Sequence, residues 1–225
     1  MLDDQNFINK SDKSDALRLA SQNATQLAHD FNVEKICESS EIDNVVVSGM
    51  GGSALGALFI KSWLSLNVPF EVVRDYHLPS YVGARTLVVV SSFSGNTEET
   101  LSCLDEAESK GAKIVCVAGG GQLEQRALQA GHVFIKLPEC PQPRFAAFYS
   151  FKAMMTTLVA CGLTPADKLD EISKASVFLQ SEVKKFVRDV PTADNPAKKL
   201  ALEIMGKSQV IYSGSLLSSA SYKWK

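Results

Sequence analysis

Three short apolar runs restrict the fold of this chain more than any other feature. They are Val45-Val-Val47, Leu87-Val-Val-Val90 and Ile114-Val-Cys-Val117, and none contains a charged residue. A strand with one wet face alternates apolar and polar side chains. These runs do not alternate, so both of their faces are dry. Each run leads into a glycine- or serine-rich turn and then into a stretch of helical period. Strand, turn and helix in alternation, with strands buried on both sides, predict a parallel sheet between two layers of helices.

Strands are expected at 44–48, 70–74, 86–91, 113–118 and 132–137, and helices at 14–31, 53–66, 96–110 and 122–130. The fold class is therefore α/β, a doubly wound, flavodoxin-like sheet of five parallel strands. Further helices are expected at 144–161, 167–188 and 197–206, with a polar linker at 189–196 between the last two. A new strand at 208–213 follows. Val210-Ile-Tyr-Ser-Gly214 there echoes Val45-Val-Val-Ser-Gly49, as the start of a second domain of the same kind would. The expected division is a helical segment at 1–40, a first domain at 41–162, a helical connection at 163–206 and the start of a truncated second domain at 207–225.

The chain has 225 residues, 45% hydrophobic and 21% charged, with a net charge of −2. That is enough apolar material for a real core, and it excludes disorder. The charge argues against nucleic acid as the partner. No apolar run reaches the roughly 20 residues that span a bilayer, and Met1–Lys10 has no signal-peptide core. Cys37, Cys103, Cys116, Cys140 and Cys161 form no C-x-x-C pair, and His29, His77 and His132 have no ligand spacing. The expectation is a cytoplasmic protein with reduced cysteines and no metal.

Two loops are suited to an anion. Gly49-Met-Gly-Gly-Ser-Ala54 joins the first strand to its helix, where unpaired N–H groups and the positive end of a helix dipole converge. Ser91-Ser-Phe-Ser-Gly-Asn-Thr-Glu-Glu-Thr100 follows the third strand. Asn96 with Glu99 forms a capping box in this reading. Capping leaves Ser92, Ser94 and Thr97 unexplained, whereas a hydroxyl nest around a phosphate accounts for them. Each loop also has a plainer reading, a packing turn and a solvated turn. A competing reading takes Gly49-x-Gly51-x-x-Ala54 with Glu71 as a dinucleotide fingerprint, making an NAD-dependent enzyme.

Gly49-Met-Gly-Gly-Ser53, Ser92-Phe-Ser-Gly-Asn-Thr-Glu-Glu-Thr100 and Pro143-Arg144 together resemble the sugar isomerase (SIS) domain. More narrowly, they resemble the bifunctional phosphoglucose/phosphomannose isomerase family, from about Val45 to the end of the chain. The resemblance implies aldose–ketose isomerisation of glucose and mannose 6-phosphates with fructose 6-phosphate through a cis-enediolate, without metal or other cofactor. It implies two SIS domains, a homodimer, and a sugar 6-phosphate held by Gly52, Ser53, Ser92, Ser94 and Thr97. Arg144 would face the reacting carbons. The family's glutamate base and ring-opening histidine fall beyond Lys225, and Glu98, Glu99 and Glu203 do not replace them. This chain alone is expected to be inactive. A phosphosugar-binding SIS module without catalysis is the alternative.

Overall fold

β3 (Thr86–Ser92) is buried along all seven residues, as its unbroken apolar run requires. It is the centre strand of the sheet. A computed structural model, which describes residues 1–224, arranges five strands in the order β2-β1-β3-β4-β5. The others are β1 (Asn44–Gly49), β2 (Phe70–Val73), β4 (Lys113–Ala118) and β5 (Val133–Lys136). Every pairing is parallel.

Period-two alternation divides the core. Val45, Val47, Leu87, Val89, Val115 and Val117 face one side, with Ala57 and Ile60 of α3 (Leu55–Trp63) and Met154 and Leu158 of α6 (Ala147–Ala160). Val46, Val88, Val90 and Cys116 face the other. They meet Cys103 and Leu104 of α4 (Glu98–Ser109) and Leu123 of α5 (Gly121–Ala130). Each fully buried side chain of this size contributes roughly 1.5–3 kcal/mol. α3 approaches α6 closely at Gly56, where a Cβ would lie 2.7 Å from the backbone nitrogen of Phe151.

α1 (Gln5–Ser11) and α2 (Ala16–Gln22) precede the sheet, and α7 (Asp167–Val183), α8 (Pro196–Ile204) and α9 (Ser218–Trp224) follow β5 and α6. Two expectations are corrected here. The helix expected at 14–31 breaks after Gln22 into a 3-10 turn, Asn23–Ala28, whose Asn23, Ala24, Gln26 and Leu27 are buried. Ser176 of α7 donates to the carbonyl of Ala24 at 2.7 Å, so tertiary contacts set this backbone. The strand expected at 208–213 does not form. Val210 and Tyr212 are 70% and 90% exposed in an irregular segment with no partner in the sheet. A β-prone run becomes a strand only beside another strand. α9 then returns to the fold, with Ser219 buried and Ser218 Oγ 3.3 Å from Ser62 Oγ on α3.

Candidate functional site

Strand order reverses once, between β1 and β3, which pair along Asn44–Gly49 and Thr86–Ser91. In an open α/β sheet, the crevice beyond the carboxyl ends at such a switch point is where ligands bind. Both anion-suited loops lie there, and they are joined to each other. The Ser91 hydroxyl donates to the Ser53 carbonyl at 3.1 Å, and the Phe93 N–H donates to the Ser53 hydroxyl at 2.9 Å.

The first loop is a 3-10 turn, Gly51–Ala54, that leads into α3. Gly51 has φ +50°, a conformation that favours glycine. Gly52 is glycine for want of space. A Cβ there would lie 2.8 Å from the Arg144 backbone nitrogen and 2.9 Å from the Pro143 carbonyl carbon. The Gly52 turn therefore rests on a second 3-10 turn, Pro143–Ala146, that carries Arg144.

The second loop carries its own hydroxyl network. Ser92 Oγ and Thr97 Oγ1 are 2.8 Å apart, and the Gly95 N–H donates to Ser92 Oγ at 3.1 Å. Ser92 is 1% exposed, Thr97 is half-buried and Ser94 is exposed. Ser53 joins the loops through Ser91 and Phe93, Ser92 bonds within its own loop, and Ser94 faces solvent. The Asn96–Glu99 capping box is corrected. Thr97 is the residue at the N-cap of α4 and makes no side-chain cap bond. Asn96 Oδ1 instead accepts from the Gln122 N–H at 3.0 Å, joining this loop to α5. α3 likewise begins without a side-chain cap. Two helix N-termini therefore point positive ends at the crevice with no side chain satisfying them.

Arg144 is exposed, its guanidinium 5.6 Å from the Phe145 ring centroid, and it makes no ion pair among the described residues. A groove of about 450 Å³ lies against it, lined by Phe145, Phe148, Glu182 and Lys223 among others. Lys223 Nζ donates to the Arg144 carbonyl at 3.0 Å. Burial, with the Arg144 charge added, holds the Lys223 ammonium below the usual lysine range. A second cleft, of about 640 Å³, opens beside Ser94 and the glycines 119–121, with Glu139 and Cys140 on its wall. Burial pushes the Cys140 thiol up from its ordinary pKa. Sequence reasoning missed Glu139, Cys140, Lys223 and Gln26, which binds the Phe145 carbonyl.

The dinucleotide reading gains no support from the sheet. Glu71 pairs with Val46 in register, well short of the rim that Gly49 forms, and it binds the Tyr81 hydroxyl. The strand order is also not that of the dinucleotide fold. No group of His, Cys, Asp and Glu suited to a metal occurs among the described residues. No helix among them is long and apolar enough to cross a membrane.

A five-stranded parallel sheet in flavodoxin-like order, with a serine/threonine loop and a glycine turn at its switch point, defines a doubly wound α/β domain. The chain belongs to the SIS domain family, which it matches over residues 40–163. It is similar to the bifunctional phosphoglucose/phosphomannose isomerase of Caldicellulosiruptor bescii, 39% identical over 184 residues, or 80% of this chain and 54% of that one. The Aquifex aeolicus protein of the same name is 35% identical over 184 residues, 80% of this chain and 53% of that one. The chain thus spans about half the length of these curated relatives. Among solved structures, a hypothetical protein from Thermus thermophilus shares the fold, with TM-score 0.53, 20% identity, and coverage of 89% of this chain and 47% of that one.

Proposed function

We propose that this chain belongs to an aldose–ketose isomerase of sugar 6-phosphates, interconverting glucose 6-phosphate, and mannose 6-phosphate, with fructose 6-phosphate. The phosphate lies between the Gly52–Ser53 turn and the Ser92–Thr97 loop. One observation carries the reading. Two helix N-termini without side-chain caps and two hydroxyl-bearing loops, bonded to each other, converge at the single reversal of strand order. Hydroxyls and N–H groups hold a dianion there without a permanent counter-charge, so the ligand can leave again.

Isomerisation moves a proton between adjacent carbons and places negative charge on an oxygen in the enediolate. The Arg144 backbone is seated against Gly52, and its guanidinium, without an ion pair among the described residues, is assigned to that charge in this proposal. A planar guanidinium fixed where charge develops stabilises the transition state more than the ground state. No cofactor enters this scheme. The proton also needs a base within hydrogen-bond reach. Among the described residues, no Asp, Glu or His bonds to Ser53, Ser92, Ser94, Thr97 or the Arg144 side chain. Glu98 binds Tyr76 instead, and Glu203 is exposed on α8. In this proposal residues 41–162 form the phosphate-binding domain, the working protein is a cytoplasmic homodimer, and the chain alone binds substrate without turning it over.

The test is calorimetric titration of the chain with fructose 6-phosphate and with inorganic phosphate. Ser94→Ala and Thr97→Ala each remove one charge-assisted hydrogen bond, of roughly 1.5–3 kcal/mol. Both ligands should bind about tenfold or more weakly to each variant. Unchanged affinity in both variants overturns the reading.

A further inference from the structure

The turn that carries Arg144 is held from outside by two side chains distant in sequence. Gln26, 6% exposed, lies in the 3-10 turn before the sheet. Its Nε2 donates to the Phe145 carbonyl at 2.6 Å, and its Oε1 accepts from the Tyr149 N–H at 3.3 Å. These two backbone groups are four residues apart, the pair that one α-helical turn would join. The Gln26 carboxamide bridges them and gives the third amide of α6 a partner that its own first turn lacks. One residue earlier, Lys223 of α9 donates to the Arg144 carbonyl at 3.0 Å. Successive carbonyls, Arg144 and Phe145, are thus gripped by residues from opposite ends of the chain. Gly52 closes the third side against the Pro143–Arg144 backbone.

The Arg144 side chain is exposed and has no ion pair among the described residues, and its guanidinium meets the Phe145 ring of the same turn, so where it points follows that turn. Its direction is set at its backbone. Lys223 is also brought beside a like charge, with its ammonium 6.0 Å from the Phe148 ring centroid and the Arg144 guanidinium 5.6 Å from that of Phe145. Repulsion between the two is relieved when an anionic group sits in front of Arg144. We infer that Gln26 and Lys223 are positioning residues for Arg144: they lock the carbonyls of Arg144 and Phe145 so that the guanidinium meets the sugar end of a bound sugar phosphate. The inference rests on the phosphosugar reading for the ligand, and on geometry alone for the clamp.

Two readouts separate the two parts. Trypsin cuts the Arg144–Phe145 bond only when the turn opens into an extended strand. Lys223→Met should speed that cut about tenfold, the effect of one charge-assisted hydrogen bond. Lys223→Arg keeps a donor and should restore the wild-type rate. Gln26→Glu, which loses the donor to Phe145, should also speed it. By titration, Lys223→Met should weaken fructose 6-phosphate several-fold while inorganic phosphate stays within twofold, and Lys223→Arg should recover the difference. A merely structural lysine would move both ligands together or neither. The inference is overturned if Lys223→Met leaves the cleavage rate unchanged, if Lys223→Arg behaves like Lys223→Met, or if both ligands weaken equally. Should wild type bind neither ligand, the phosphosugar reading fails and the positioning of Arg144 toward a sugar fails with it. The cleavage rates then report on the clamp alone.

Discussion

Gly52→Ala isolates the contact on which the site's assembly depends. Gly52 does not have a positive φ, so alanine suits its backbone and the substitution tests crowding alone. The added methyl would lie 2.8 Å from the Arg144 nitrogen, 2.9 Å from the Pro143 carbonyl carbon and 3.0 Å from the Pro143 Cβ. Two of these are backbone atoms and the third belongs to a proline ring, so none can swing aside. The Pro143–Ala146 turn must move instead. Overpacking of this kind destabilises by about 1–3 kcal/mol. For a chain of this length each kcal/mol lowers Tm by about 2–4 °C, so Gly52→Ala should lower it by about 2–12 °C. Gly83→Ala is the control. Its methyl would meet nothing within 4 Å and φ is not positive there. It should be neutral, or stabilising by about 0.4–1 kcal/mol through the unfolded chain. Scanning calorimetry of the two variants, with titration of fructose 6-phosphate, reads the outcome. Because Arg144 is displaced, the sugar phosphate should lose more affinity than inorganic phosphate. A Gly52→Ala variant that melts like wild type and binds fructose 6-phosphate equally well refutes the packing of one turn on the other.

Ser92→Ala removes a buried hydroxyl that accepts from Gly95 and meets Thr97, and urea unfolding should report a loss of about 1–3 kcal/mol. A pH series tests the His77–Glu106 pair, 2.6 Å apart, which ties the 75–82 loop to α4 together with the Leu78 N–H at 2.9 Å. The Glu106 hydrogen bond raises the His77 pKa above 6.5, and His77 lowers that of Glu106 below 4.5. The histidine's share is complete below 6.5 and disappears as pH rises through its raised pKa. The carboxylate's share is complete above 4.5 and disappears as pH falls through its lowered pKa. Wild type should therefore exceed His77→Gln in Tm most clearly between those limits, with the gap closing as pH rises through the raised pKa of His77.

The sheet was legible because its strands are unbroken apolar runs. Leu87–Val90 needs no alternation to be recognised as buried on both faces, and the expected strand at 86–91 differs from the observed one by a single residue. The loops were legible because Ser92, Ser94 and Thr97 are more hydroxyls than capping one helix needs, and the resemblance to the SIS domain rested on those same residues. What escaped depends on partners far away in sequence. Val210-Ile-Tyr212 has strand propensity, but propensity does not supply a neighbouring strand. Asn96 and Glu99 have capping-box spacing, yet Asn96 is drawn away by the backbone of Gln122, 26 residues on. Gln26 reads as a polar residue within a helix. Its bond to Phe145 spans 119 residues and leaves no local pattern. The side chains that form the loops could be read locally, whereas those that brace the loops could not.

A crystal structure of the chain with fructose 6-phosphate tests the central claim most directly. The phosphate should lie in the crevice between β1 and β3, accepting from the hydroxyls of Ser94 and Thr97 and from backbone N–H groups of the Gly52–Ser53 turn, with the sugar directed toward Arg144. A phosphate seated instead at the glycines 119–121, or a sugar phosphate bound with Arg144 turned away and the crevice filled by water, contradicts the account.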